Sequence, residues 1–396
     1  MNRREIIIVN SILLIMVLGF GWMAFRLSVN QSPLASVNPQ QASAVEQQEN
    51  SKTCSNKPPL KINADDEPHL KRLGDYQNMC SSFVTNRMMI FTGFSGDRQA
   101  AATNAADMAA RLKNFNKAGV EPIVIAEPYV GDEAMSFKTY LTGAYDEGME
   151  HYFRLLKEAG VTDDMMGMWV PFPEPNTPSW NNKDTEPHDF ALCVNKYLSL
   201  LKKYFPGAEG SVLLNATTHE PDDIGWENGD YISLSPYVDA IDRNLVQSVG
   251  IQGFPWMTNA QQRKRTIFDA GEFLQTDLAI GAAQVLRTKD IWINTGTFAS
   301  KYTNDASKTV HLSINERKTL LNDILQAAID VREYQQNEYR VSINLFSEDK
   351  SDANEATDWS YFQDVESQGV LKEFLMRANE AEIPISLYDK AKWQLR

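Results

Sequence analysis

Carboxylates, aromatic rings and side-chain amides recur at one kind of position in this chain, directly after short apolar runs. Glu127-Pro128-Tyr129 follows one run, and Glu174-Pro175-Asn176 follows another, with Trp180 shortly beyond. His219-Glu220, Gln252-Gly253-Phe254-Pro255-Trp256, Asn294-Thr295 and Glu348-Asp349 repeat the pattern, and Trp359 stands past the last. This inventory suits a carbohydrate. Sugar rings stack on aromatic faces, hydroxyls meet carboxylates and amides, and a pair of carboxyl groups can cleave a glycosidic bond. The five histidines show no metal-ligand spacing and the three cysteines no C-x-x-C pair, so no metal and no cofactor are expected. The absence of a G-x-S-x-G elbow counts against an α/β-hydrolase.

Each candidate also has a plainer reading. Glu174, between two prolines, could be an ordinary loop residue; its place after an apolar run with Trp169, Asn176 and Trp180 nearby favours function. Glu348 opens an acidic loop, Ser347 to Asp352, and could be merely solvated. Glu127 could orient Tyr129 or cap a helix. Glu220 shares its loop with Asp222 and Asp223, which reads as hydrophilic surface. Trp256 and Trp359 are stacking platforms or lids over a core. His151 and His311 fall on predicted helices and read as structural.

The elements that position these residues alternate. Apolar runs at 88–94, 122–129, 166–172, 211–216, 248–254, 291–294 and 341–346 read as strands. Helical periodicity covers 107–118, 140–159, 190–204, about 261–286 and 314–334, with Gly119 and Gly160 as stops. Strict alternation implies a parallel sheet, and closure into a (β/α)8 TIM-type barrel is the common solution. Seven strands are visible; the eighth is expected before residue 88 or near 130–140. A doubly wound sheet would want a glycine-rich phosphate turn, and none follows a strand.

The stretch from Gly143-Ala144-Tyr145-Asp146 to Gly160, then Trp169-Val170-Pro171-Phe172-Pro173-Glu174-Pro175-Asn176 and Trp180, resembles the centre of glycoside hydrolase family 26. That family holds mainly β-mannanases on a (β/α)8 barrel. Its fourth strand ends in a His-Glu-Met-Asn-type motif followed by a tryptophan. The resemblance implies that Glu174 is the general acid/base and that Asn176 and Trp180 line a sugar subsite; Tyr129, Trp256 and Trp359 are binding candidates from their aromatic side chains at or past strand ends alone. Residues 248–256 are similar to the family's sixth strand and 291–293 to the start of its seventh. Two departures stand out. Pro173 and Pro175 replace the motif's histidine and methionine, and Thr295 stands where the seventh strand should end on a nucleophilic glutamate. A retaining mechanism needs two carboxyl groups about 5–5.5 Å apart. Glu348 is the candidate replacement; otherwise the barrel binds glycan without cutting it, or serves only as a rigid scaffold or adhesin. Weak or no hydrolysis of mannan is therefore expected.

The N-terminal sequence places this domain. Arg3 and Arg4 precede an apolar run from Ile6 to Phe25 that only Asn10 and Ser11 interrupt. Twenty helical residues span roughly 30 Å, a bilayer core. The charge bias puts the N-terminus in the cytoplasm and the bulk of the chain outside, as a single-pass membrane protein. A cleavable signal peptide is the rival, but no good small-residue cleavage site appears. Residues 1–27 thus read as cytoplasmic tip and anchor, 28–63 as a polar tether, and 64–396 as the barrel. A net charge of −14 over 396 residues argues against a nucleic-acid partner. Cys54 and Cys80 read equally well as a disulfide or as two thiols, and Cys193 as a small buried hydrophobe.

Overall fold

The computed structural model describes residues 68–79, 84–130, 133–175, 186–215, 235–253, 276–297, 299–302, 309–334, 338–350, 357–358, 360–361 and 364–389. The expected membrane segment, the tether, Cys54 and Cys80 lie outside them. Among the described residues no helix is long and apolar enough to cross a membrane.

Eight parallel strands form the barrel: β1 Val84–Phe94, β2 Glu121–Val130, β3 Met168–Pro171, β4 Glu209–Asn215, β5 Ser248–Gln252, β6 Asp290–Thr295, β7 Arg340–Ser347 and β8 Ile385–Asp389. Each pairs with the next, and β8 returns to β1 through Val84↔Ile385 and Met88↔Leu387. The sheet is closed. The strand missing from the sequence reading is therefore the last one, not one before residue 88 or near 130–140. Every strand after the second occupies the place its position in the chain dictates, so 168–171 is the third strand, 290–295 the sixth and 340–347 the seventh.

Helices cover the outside, and their ends are set by local chemistry. Asp97 caps Arg98–Ala118 by accepting from the Ala100 amide at 2.8 Å, and Gly119 ends it at φ 70°. Ala101, Ala105, Met108, Leu112 and Phe115 line its buried face. Ser313 and Glu316 form a reciprocal capping box on Ile314–Glu333, and Asp364 caps Val365–Glu380. The helix expected over 140–159 is two, Phe137–Leu141 and Asp146–Glu158, separated by a turn in which Gly143 has φ 89°. Cys193 is buried on Pro187–Tyr204, its thiol 3.6 Å from the Phe137 carbonyl. His151 lies on Asp146–Glu158 beside Arg154. His311 departs from expectation: it ends a strand, Thr309–His311.

The barrel interior is unusually polar. In its lower layer the Trp292 indole donates to Ser211 Oγ at 2.9 Å, and Ser211 and Ser248 share a 2.8 Å hydrogen bond. Gly250 faces this indole; a Cβ there would lie 2.4 Å from two of its carbons. Below, Arg87 pairs with Glu121 at 2.6 Å and approaches Glu209 at 3.7 Å, and Arg340 grips Asp290, around a cavity of about 540 Å³ at the N-terminal mouth. A further layer, Gln252, Asn294, Asn344 and Ser386, lies toward the other end.

A small antiparallel sheet extends the wall after β6 and β7. It joins Asp349–Lys350, Thr357–Asp358, Ser300–Tyr302 and Thr309–His311 in that order. Arg317, 1% exposed, fastens its base: the guanidinium donates to Thr297, Ser367 and the Ser360 carbonyl and lies over the Tyr361 ring. Burial lowers its pKa, and Tyr361, Asp358 and Asp364 oppose that shift.

Candidate functional site

At the C-terminal ends of the strands, side chains from β2, β3, β7 and β8 come to the barrel mouth, where barrels of this type carry their working groups. Glu348 is the first residue after β7. The Tyr388 hydroxyl, on β8, donates to its Oε2 at 3.3 Å. The Tyr388 ring is held by Phe346, stacked at 4.8 Å between centroids, and by Phe91, edge-on at 4.9 Å. Burial pushes the Tyr388 hydroxyl well above its ordinary pKa. The charge of Glu348, the hydrogen bond with it, and the charges of Glu127 and Asp389 push in the same direction. Tyr388 therefore feels carboxylates from both β2 and β7. On β2, Tyr129 pairs across to Ala134 in the short strand Glu133–Ala134, and its hydroxyl is raised by burial and then by Glu127.

Glu174 stands three residues beyond β3, half-buried between buried Pro173 and Pro175. Its amide donates to the Leu213 carbonyl of β4 at 2.7 Å, and that of Phe172 to the Ala126 carbonyl of β2 at 3.0 Å. The segment is thus wedged between its two neighbours. Phe172 and Glu174 both adopt left-handed backbone, φ 52° and 54°. Such conformations cost energy in residues with side chains and concentrate where function requires them. The Phe172 ring anchors the turn against Phe94 at 4.9 Å and Tyr140 at 5.1 Å.

Two expectations change with the strand count. Glu174 follows the third strand, not the fourth, and Thr295 ends the sixth, not the seventh. Thr295 also faces away from the mouth: Asn294 points inward to Gln252 and Asn344, and strand side chains alternate. Its hydroxyl is buried with no hydrogen-bond partner among the described residues. Thr295 is thus no stand-in for a nucleophile. The residue leaving the seventh strand is Glu348. Asn176, Trp180, His219, Glu220, Trp256 and Trp359 lie outside the described residues. Tyr388, missed in the sequence, was signalled by the alternation of Ile383 through Tyr388, which is short but regular.

No family model matches the sequence, and no curated protein does. Among solved structures, the chain is similar to the family 1 β-glucosidase of Thermotoga maritima. The TM-score is 0.50 at 10% identity, covering 80% of this chain and 87% of that one. It is also similar to a fungal β-1,4-galactanase (TM-score 0.48, 12% identity, 84% and 96% covered). An endo-1,4-β-D-mannanase of Thermotoga petrophila gives a TM-score of 0.43 at 10% identity, with 76% and 93% covered. With the β-glucosidase, what is shared is the barrel. At these identities the likeness is one of fold.

Proposed function

We propose that this chain is a membrane-anchored, extracytoplasmic glycoside hydrolase acting on a β-linked polysaccharide, with Glu348 and Glu174 as its working carboxylates. The observation that carries the reading is Glu348, which leaves the seventh strand with Tyr388 hydrogen-bonded to its carboxylate. The resemblance to family 26 asks for a carboxylate nucleophile at the end of that strand. The reading that the barrel lost its nucleophile rested on Thr295, which lies on another strand and another face. Glu174 is the acid/base in this proposal, supported by its half-buried site and left-handed backbone. Its rival is Glu220. The fourth strand ends at Asn215, and the chain reaches His219-Glu220 soon after, in the His-Glu order the family's fourth strand carries.

The test is overnight product chromatography on β-mannan, xylan and mixed-linkage β-glucan, with Glu348→Gln, Glu174→Gln and Glu220→Gln compared with wild type. Wild type should release oligosaccharides from one of the three, and Glu348→Gln should lose at least about a hundredfold in rate. If Glu174→Gln cleaves as well as wild type while Glu220→Gln does not, the acid belongs to the fourth strand. Hydrolysis that survives Glu348→Gln would sink the nucleophile assignment. Binding without cleavage on all three would make the barrel a glycan-binding protein.

A further inference from the structure

Four side chains on adjacent strands form one hydrogen-bonded chain across the barrel interior. Ser386 Oγ on β8 donates to Asn344 Oδ1 on β7 at 3.1 Å. Asn344 Nδ2 donates to Asn294 Oδ1 on β6 at 2.7 Å, and Asn294 Nδ2 to Gln252 Oε1 on β5 at 2.6 Å. The residues stand directly opposite one another in the sheet register. All are buried, and Asn344 has no exposed surface.

The chain has a direction. Asn344 Nδ2 also lies 3.8 Å from the Met89 sulfur. A thioether only accepts, so the amide nitrogen and not the carbonyl belongs on that side. With Asn344 fixed, each following amide must offer its oxygen to the one before. The series ends at Gln252, whose oxygen is occupied and whose Nε2 has no protein partner among the described residues. Gln252 is the last residue of β5, at the end of the barrel where Glu348 and Glu127 converge on Tyr388.

We propose that Gln252 is a substrate-binding residue, its amide fixed by this one-way relay as a donor to a hydroxyl oxygen of a neutral sugar. The carboxylates at the mouth repel an anionic ligand, so neutral glycans are favoured over polyuronates. The proposal rests on the glycan reading above and names which chemistry that site accepts.

Two near-isosteric variants reverse the polarity by different routes. Gln252→Glu replaces the donor with an acceptor. Asn294→Asp still accepts from Asn344 but now also demands a donor from Gln252, turning the Gln252 oxygen toward the mouth. Binding of neutral β-linked hexasaccharides of mannose, xylose and glucose is measured by calorimetry on the full chain in the Glu348→Gln background, and that of a polyuronate hexasaccharide on the wild-type chain, which keeps every mouth carboxylate. Both variants should raise the Kd for the bound neutral hexasaccharide at least about tenfold, the worth of one buried hydrogen bond. The polyuronate should not bind. Unchanged affinity in either variant, or preferred binding of the polyuronate, overturns the proposal.

A second readout needs no ligand. In protein with 15N-glutamine, the Gln252 side-chain NH2 pair is identified by its loss in Gln252→Glu. It should exchange rapidly with solvent in the parent and slow at least about tenfold in Asn294→Asp, where it gains an internal partner. If no hexasaccharide binds, the glycan reading fails, yet this exchange still decides the relay: slowing supports the oriented donor, and no change refutes it.

Discussion

Tyr388 contributes one hydrogen bond to Glu348 and several ring contacts beneath it, and the two roles can be separated. Tyr388→Phe keeps the stack on Phe346 and removes the 3.3 Å contact. Turnover should fall about tenfold with the melting temperature nearly unchanged, the scale expected for one hydrogen bond to a charged group. Next to it, Asp389 faces the other way, toward Arg72 at 3.3 Å and the Tyr76 hydroxyl at 3.1 Å. Burial pushes its carboxyl up to about 6, against the opposing pull of Arg72, Ser347 and Tyr76. The folded value thus lies above the unfolded one near 4. This group favours the folded state fully below about pH 4, and the contribution, on the order of 3 kcal/mol, is lost as pH rises through about 6. Melting temperatures of wild type and Asp389→Asn at pH 4.5 and 7.5 check the sign: the variant should gain on wild type at the higher pH. A variant melting temperature that falls relative to wild type between pH 4.5 and 7.5 would contradict it. At this scale the sequence was informative where chemistry sat on a recognisable strand end. Glu174, Glu348 and Tyr129 stand at the ends of apolar runs that are strands, so their places were legible. Tyr388 was not, because its partnership with Glu348 spans two strands and depends on closure.

The helix Arg98–Ala118 was legible in its second half, 107–118, where Met108, Leu112 and Phe115 recur and Gly119 stops it; its alanine-rich first turns and the Asp97 cap carry no apolar period. Short strands were harder. β3 has four residues and β8 five, and β8 carries Ser386, Tyr388 and Asp389 among its apolar positions. Its alternation is regular but lasts only five residues before Asp389, too short to stand out beside the longer apolar runs, and losing it displaced the count by one. That single displacement moved Thr295 onto the seventh strand and made a nucleophile look absent. β5 offers a sharper test of the interior packing. Its Gly250 leaves room for the Trp292 indole, and a Cβ would lie 2.4 Å from the ring. Gly250→Ala should therefore destabilise the barrel by about 2–3 kcal/mol, because both backbone and indole are held by neighbours. Urea denaturation measures this; a loss below about 0.5 kcal/mol would mean the ring has space the packing does not show.

For the whole molecule, the proposal of an anchored, exported barrel makes a topological prediction. Protease added to intact cells should remove the domain and leave a small membrane-bound stub, since that proposal has Arg3 and Arg4 keep the N-terminus inside. A domain protected until lysis would reverse the orientation. The closed sheet adds a mechanical consequence. The helix Pro68–Met79 is clasped to the end of β8 through Arg72 and Tyr76, and β8 is hydrogen-bonded to both β1 and β7. A pull arriving at Pro68 meets this helix first, held by buried Leu70, Leu73 and Tyr76 as well as by Arg72. Only then does it load the parallel strands, where many hydrogen bonds share the strain. The first load of such a pull thus falls on these twelve residues, and through Asp389 it reaches the strand that carries Tyr388.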